Sequence, residues 1–307
     1  MKVAISTSSF AEYDAEPLRL LRSAGLETKL NPFGRALDAA EAQDFLQDCV
    51  GLIAGTEPLN AKVMEASPKL KAISRCGTGM DNVDLQAAAR LGVTVRNTPD
   101  APVAAVAELT LGLALDLMRR ISRQDREIRA GQWKKRMGNL LSGKKVGIVG
   151  FGRIGRKVAG YFSAFGCETA FYDPLLLSDA VYARMELTDL LAFADILTLH
   201  CPPRPDGLPL LDAAGIAAMK AGAWLINAAR GGLIDEEALC GALGTGAVAG
   251  AALDVFGREP YPADGPLSAF PNVILTPHIG AYAVESRIGM EIESALNLLS
   301  ALGIPHE

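Results

Sequence analysis

Short apolar runs alternate with amphipathic stretches along almost the whole chain, and that rhythm leaves few folds open to it. "KVAIST" (2–7), "CVGLIAG" (49–55), "LKAISRCG" (70–77) and "GVTVRN" (92–97) read as strands. "PLRLLRSAG" (17–25), "AAEAQDFLQD" (39–48) and "DLQAAARLG" (84–92) read as the helices between them. A strand that returns through a helix to the next strand runs parallel to it, so the sheet is covered on both faces. With about 100–200 residues to a domain, 307 residues suggest two such sheets.

The rhythm breaks at "RNTPDAP" (96–102), where Asn97, Pro99 and Pro102 stop a strand. A single long helical pattern, "VAAVAELTLGLALDLMRRISRQDREIRAG" (103–131), follows. Its first half is apolar nearly all round and is expected to be buried between domains or subunits; its second half is charged. Gly131 and "SGK" (142–144) then open a second array. Its strands are "KVGIVG" (145–150), "ETAFYD" (168–173), "DILTLH" (195–200), "AWLINAA" (223–229), "VAGAALDVF" (248–256) and "NVILT" (272–276). The last segment, "VESRIGMEIESALNLLSALG" (284–303), spaces Ile288, Ile292, Leu296 and Leu299 as a helix, expected to pack back on the first array.

Charge and composition narrow the partners. A net charge of -5 and a pI near 5.4 give no general attraction for nucleic acid or an anionic membrane. No apolar run reaches the roughly 18 residues of a membrane span, and the N-terminus lacks a signal peptide's apolar core. The five cysteines, Cys49, Cys76, Cys167, Cys201 and Cys240, are scattered and form no CxxC. They are expected to be reduced, in a cytoplasmic protein, and no metal site is expected. Cys76, beside the glycines of "RCGTG", reads as a small filler in a tight turn.

"KVGIVGFGRIGRKVAGYFSAFG" places Gly150, Gly152 and Gly155 in a GxGxxG that follows a strand and opens an amphipathic helix. Gly150 permits the turn, Gly152 lets backbone approach a pyrophosphate, and Gly155 lets helix and strand close up. The helix N–H groups then bind phosphate. The next strand leads into Asp173, near the spacing of about 20 residues at which a carboxylate receives the ribose hydroxyls. That favours NAD over NADP.

Ligands in open α/β sheets lie at the carboxyl ends of strands. There this array carries Arg230 after "AWLINAA", Asp254 and Glu259 after "VAGAAL", and His278 after "NVILT". Arginine grips a carboxylate with a planar fork. Histidine moves one proton at neutral pH, and a nearby carboxylate favours its charged form and holds its ring. Taken singly, Arg230 also reads as a surface arginine, Glu259 as a solvated turn residue and Asp254 as a cap. His200 reads as a sheet-edge histidine and His306 as part of a frayed terminus. Jointly, Arg230, Glu259 and His278 are the parts for moving H⁻ and H⁺ across the C–O bond of a carboxylate-bearing alcohol.

The chain resembles the D-isomer-specific 2-hydroxyacid dehydrogenase family, nearest its phosphoglycerate dehydrogenase branch. The resemblance rests on "SRCGTGMDNVD" (74–84), "NTP" (97–99), "AELTLGL" (107–113), "GFGRIG" (150–155), "NAARGGLIDEEAL" (227–239), "GAALDVFGREP" (250–260) and "TPHIGA" (276–281). It implies an NAD-binding Rossmann-type domain, 99–282, inserted into a flavodoxin-like substrate domain made of 1–98 and 283–307. It implies a homodimer built on the helix after residue 101. In the implied site Arg230 binds the substrate carboxylate and C2 oxygen, His278 is the acid–base and Glu259 its partner. Implied cofactor contacts are Thr78, Gly150, Gly152, Arg153, Ile154, Gly155, Asp173, Cys201, Ala228, Ala229, Asp254 and Gly280. The Gly77–Gly79 loop receives the substrate carboxylate on backbone N–H groups, and Arg75 any distal anion.

The sequence also departs from that pattern. Phosphoglycerate enzymes of this kind place a basic residue in the loop after the third strand, where Ala54 and Gly55 stand in "LIAGTEPL"; Arg75 and "KKR" (134–136) are the positive charge at hand. "CPPRPDGLPLL" (201–211) is unusual too. The chain stops at Glu307, so a serine-sensing regulatory domain is not expected. Three functions stay open: phosphoglycerate oxidation, hydroxypyruvate or glyoxylate reduction, and an NAD-responsive binding module like the corepressors of this superfamily. Glu259, where formate dehydrogenases carry glutamine, speaks against a fourth.

Overall fold

The computed structural model describes residues 1–305; the expectation for His306 lies outside them. The chain divides into two compact units, Met1–Pro102 with Ala281–Glu307, and Val103–Gly280.

The first unit is a five-stranded parallel sheet in the order β2-β1-β3-β4-β5. Its strands are β1 (Lys2–Ile5), β2 (Glu27–Leu30), β3 (Gly51–Ala54), β4 (Ala72–Arg75) and β5 (Thr94–Asn97). This is the flavodoxin-like order. Alternate strand residues feed two cores. Ala4, Leu52, Ala54 and Ile73 meet Phe45, Leu46, Val63, Met64, Ala87 and Ala88. These come from α2 (Ala39–Leu46), α3 (Ala61–Glu65) and α4 (Leu85–Leu91). On the other face Val3, Ile5, Ile53 and Ala72 meet Leu21 of α1 (Glu16–Ser23) together with Met290, Ala295, Leu298 and Leu299. The last four lie on the C-terminal helix (Val284–Ala301), so it does pack back on the first array. The approach is close: a Cβ on Gly51 would lie 2.9 Å from Leu298 Cδ1.

The second unit carries a seven-stranded sheet in the order β12-β11-β10-β9-β6-β7-β8. Its strands are β6 (Lys145–Val149), β7 (Glu168–Tyr172), β8 (Ala183–Arg184), β9 (Ile196–Leu199), β10 (Ala223–Asn227), β11 (Val248–Leu253) and β12 (Val273–Leu275). Counted from β6, the order is the Rossmann 3-2-1-4-5-6 with a seventh strand added, and the switch point lies between β6 and β9. One face buries Leu197, Leu225 and Leu253 under α8 (Leu187–Phe193), α9 (Ala213–Ala217) and α10 (Glu236–Thr245). The other buries Ile148, Ile196 and Ile226 under α5 (Val103–Arg119) and α7 (Arg153–Ala164).

Three features differ from the sequence expectation. The helical pattern over 103–131 is two helices, α5 and α6 (Ile121–Arg129), because Arg120 adopts a left-handed φ of 56°. Asp116 stabilises that break: its carboxylate accepts from Ser122 N at 2.8 Å and from the Ser122 hydroxyl. Second, within this unit the first half buries one face rather than its whole circumference. Val106, Ala107, Thr110, Leu113, Ala114, Leu117 and Met118 make one buried face. Third, β2, α3 and β8 were not expected. The β2 sequence ETKL is polar and mostly exposed, so it carries no apolar signal.

Candidate active site

The glycine loop follows β6. Gly150 has φ 89°, and a Cβ there would lie 2.5 Å from His200 O, so the turn requires glycine. A Cβ on Gly155 would strike the Gly150 carbonyl oxygen. Gly152 has nothing within 4 Å of its would-be Cβ, and it caps α7 without a side chain. Open backbone before the first turn of a 12-residue helix suits a dinucleotide pyrophosphate. Arg153 and Ile154 begin that helix.

Asp173 follows β7 directly. Its carboxylate accepts from Phe151 N at 2.8 Å, Leu175 N at 2.8 Å and Leu176 N at 3.2 Å. These bonds fix the carboxylate against the glycine loop. Each oxygen can accept more than one bond, so ribose hydroxyls remain acceptable partners. The residues present therefore fit NAD. Cys201 and His200 lie across the loop from Gly150. Burial pushes the Cys201 thiol up to about 11 and His200 down to about 3, so both are neutral at physiological pH. His200 shares a 2.9 Å hydrogen bond with Thr198 and takes no proton from the site.

Arg230, Glu259 and His278 follow β10, β11 and β12, which are neighbours in the sheet. Buried Asn227 shapes the first turn: Ala229 N donates to its Oδ1 at 3.1 Å, and its Nδ2 donates to Arg230 O at 2.9 Å. Arg230 Nη1 donates to Ala229 O at 2.7 Å. His278 has the left-handed φ of 54°, uncommon in a non-glycine residue, and local hydrogen bonding holds it there. Asp254, wholly buried, supplies that bonding. Its carboxylate accepts from Thr276 Oγ1 at 2.6 Å, Ile279 N at 2.8 Å and Gly280 N at 2.8 Å, while its carbonyl accepts from His278 N at 2.8 Å. Burial pushes the Asp254 carboxyl above its ordinary value, against the pull of those donors.

The His278 ring meets Glu259 with Nδ1 2.8 Å from Oε2, while the other carboxylate oxygen accepts from Phe256 N at 3.0 Å. Burial pushes Glu259 up, but the bonds from His278 and Phe256 and the charge of Arg230 outweigh it, and its pKa lies below the ordinary value. Glu259 is therefore ionised at neutral pH. An ionised carboxylate only accepts, so Nδ1 carries the hydrogen and Nε2 is left to exchange a proton.

Within the first unit the proposed substrate contacts are more constrained. Gly77 N donates to Thr98 Oγ1 at 2.7 Å, so the expected Gly77 amide is already engaged; Thr78 and Gly79 are the other amides of that loop. Arg75 Nη1 donates to Cys76 O, and the guanidinium lies against Gly77. Arg136 of "KKR" is paired with Glu127 at 2.6 Å. Asn227, Thr276 and Thr98 organise these turns and were not singled out from sequence. Their only signal was a polar residue closing an apolar strand. Among the described residues no cluster of metal ligands forms, and no helix is long and apolar enough to cross a membrane.

The family model for the NAD-binding domain of D-isomer-specific 2-hydroxyacid dehydrogenases matches residues 111–280. The chain belongs to that family. It is 44% identical over 256 residues to D-3-phosphoglycerate dehydrogenase of Rattus norvegicus, covering 80% of this chain and 48% of that one. It is 42% identical over 258 residues to glyoxylate reductase of Thermofilum pendens, covering 80% and 76%. The crystal structure of TT0316 protein from Thermus thermophilus superposes with a TM-score of 0.92 at 38% identity, covering 99% of this chain and 97% of that one. The chain spans about half the length of the phosphoglycerate dehydrogenases it matches.

Proposed function

We propose that the protein is an NAD-dependent oxidoreductase that interconverts a 2-keto acid and a D-2-hydroxy acid. The observation that carries this is the 2.8 Å contact of His278 Nδ1 with ionised Glu259, on a sheet edge shared with Arg230 and the glycine loop. NADH, when bound, supplies the hydride. Arg230 holds the substrate carboxylate and C2 oxygen through its fork. His278, protonated beforehand, donates the Nε2 proton to the C2 oxygen and takes it back in the oxidative direction. Glu259 stays charged and holds the ring in the tautomer that leaves Nε2 outward. Asp173 selects NAD, because a 2′-phosphate beside its carboxylate is repelled. Cofactor contacts are assigned to Gly150, Gly152, Arg153, Ile154, Gly155, Asp173, Cys201, Ala228, Ala229, Asp254, Gly280 and Thr78. Substrate contacts are assigned to Thr78, Gly79 and Arg75 besides Arg230.

Two substrates divide the reading. Likeness to phosphoglycerate dehydrogenases favours phosphohydroxypyruvate. Arg75 bonded to Cys76 O, with Glu57 near enough for their charges to interact, favours an unphosphorylated acid such as hydroxypyruvate or glyoxylate. A screen of NADH and NADPH oxidation against phosphohydroxypyruvate, hydroxypyruvate, glyoxylate and pyruvate tests both choices. Turnover of none of them overturns the proposal. Equal kcat/KM with the two cofactors removes Asp173 as selector.

The finer assignments are a homodimer in the cytoplasm. Ile121, Ile128, Trp133, Met137 and Leu140 are each more than half exposed along one stretch, an apolar surface suited to a second copy. All five cysteines are free thiols, which suits a reducing compartment. Sedimentation at micromolar concentration, with Trp133→Ala as the disrupting variant, tests the dimer.

A further inference from the structure

Arg230 and Glu259 sit on two short segments, and a third acid ties those segments together. After β10 the chain makes a turn of 3₁₀-helix over Gly231–Leu233; after β11 it runs from Val255 to Pro260. Gly231 packs so closely on Phe256 and Gly257 that a Cβ would strike the Phe256 carbonyl. Five residues on, in the first turn of α10, Glu236 turns its carboxylate back: Gly257 N donates to its Oε1 at 2.7 Å. The residue before Gly257 is Phe256, whose N–H donates to Glu259 Oε1 at 3.0 Å, and Glu259 Oε2 meets His278 Nδ1 at 2.8 Å. Glu236 thus bonds the peptide next to the one that aims Glu259.

We propose that Glu236 is a positioning residue for the proton-transfer pair: its bond to Gly257 N holds the 255–260 segment so that Glu259 stays in register with His278. This rests on the proposed roles of Glu259 and His278. Hydrogen bonding of a backbone N–H by a carboxylate is stronger than by a neutral acceptor, and the N-terminal turn of α10 favours that carboxylate. The charged groups around the pair are Arg230 and Asp254, and Tyr261 and Cys240 lie near Glu236. Removing the Glu236 charge relaxes its upward push on Tyr261 and Cys240, which carry no charge at neutral pH either way, and leaves Arg230 and Asp254 in place.

Three variants separate a geometric role from a long-range charge. Glu236→Met keeps the length and loses the acceptor. Glu236→Gln keeps a neutral acceptor. Glu236→Asp keeps the charge on a shorter arm. The first readout is the NMR titration of the His278 ring in the protein without cofactor or substrate. The chain has three histidines, His200 does not titrate near neutrality, and His278→Ala assigns the resonance. The second readout is reductive kcat/KM. In Glu236→Met the His278 midpoint is expected to move to lower pH, as in Glu259→Gln, and kcat/KM to fall about 10-fold, since small misplacements of catalytic groups are expensive. Glu236→Gln should restore both and Glu236→Asp should fall between. An unmoved midpoint in Glu236→Met overturns the proposal. So does an equal shift in Glu236→Gln, which would mean that only the charge matters. Should Glu236→Met fail to fold, Glu236→Asp decides by the same criterion. A protein that reduces none of the keto acids fails the functional proposal, while the titration still answers this one.

Discussion

The carboxyl edges of the two sheets hold the same kinds of residue in opposite states. On the seven-stranded sheet the side chains of His278 and Glu259 are 42% and 37% exposed, and the acid lies below its ordinary pKa because an imidazole and a backbone N–H hold its charge. On the five-stranded sheet Glu57 is 1% exposed. Its carboxylate takes the Ser6 hydroxyl and Gly55 N at 3.0 Å, and burial pushes it up despite those donors and the charge of Arg75. The first acid faces an imidazole nitrogen, so it can hold that ring in one orientation and tautomer. The second is surrounded by loop donors, so it ties the ends of β1 and β3 together. The difference lies in what each carboxylate touches, not in the fold, since both edges belong to parallel open sheets.

The strongest way to break this comparison is to remove the imidazole. His278→Ala is expected to lower kcat by ~10²–10⁴ and abolish the pH limb of reductive kcat/KM. NADH affinity should be retained, because the glycine loop and Asp173 are untouched. Fluorescence titration of NADH beside steady-state rates checks both. A rate within a few-fold of the native one would make the two edges alike and leave the chemistry without its acid.

Arg230→Lys comes next. Lysine keeps the charge but loses the planar fork, and charge-assisted bonds are worth ~1.5–3 kcal/mol, so kcat/KM should fall by about 10- to 150-fold. The unfolding midpoint should move far less than the rate, because the Asn227 bond at 2.9 Å goes to Arg230 O, which the variant keeps, and a lysine ammonium can still donate to a backbone carbonyl such as Ala229 O. An unchanged kcat/KM would remove Arg230 from the site.

Glu57→Gln sharpens the other side. A carboxyl raised by folding binds its proton more tightly in the native than in the unfolded chain. Its contribution is therefore fully present at low pH and is lost as pH rises from the ordinary 4.5 through the raised value. Glutamine does not titrate. The stability of Glu57→Gln relative to the native protein should therefore improve between pH 4 and neutrality, measured by urea unfolding at several pH values. A difference independent of pH would show that Glu57 does not carry a raised pKa.

These contrasts also show where the sequence stops speaking. The alternation of Leu and Ile runs exposed both sheets, because a parallel strand buried on two faces has nothing but apolar residues to show. The placement of Arg230, Glu259 and His278 together at neighbouring strand ends was legible because each follows such a run with chemistry that a packed strand does not need. Glu57 and Glu236 were not, because a glutamate in "GTEPL" or "LIDEEAL" looks the same whether its carboxylate meets water or a distant backbone N–H. The break at Arg120 was hidden for a similar reason: the helical period continues across it, and only the capping bonds from Ser122 to Asp116 reveal the turn. The engaged amide of Gly77 depends on Thr98, 21 residues away, and local spacing cannot supply that contact.

The smallest expected effect is the most discriminating. Glu259→Gln keeps the size of the side chain and its bond to Phe256 N but removes the negative charge beside His278. The ionised carboxylate favours imidazolium, so its loss makes protonation of His278 harder. Reduction needs that proton in place beforehand, so reductive kcat/KM falls as pH rises through the His278 titration, and in the variant this limb should begin at lower pH. Oxidation needs the neutral ring, so its limb, which falls as pH drops, should move the same way. At low pH, where His278 is protonated in both proteins, the reductive rates should approach each other; near neutrality the variant should be slower. Parallel movement of both limbs is the signature of a tuned base, whereas a uniform loss at every pH would show that Glu259 only orients the ring. If neither limb moves and the rate holds, Glu259 is a loop tie of the same kind as Glu57, and the contrast between the two edges disappears.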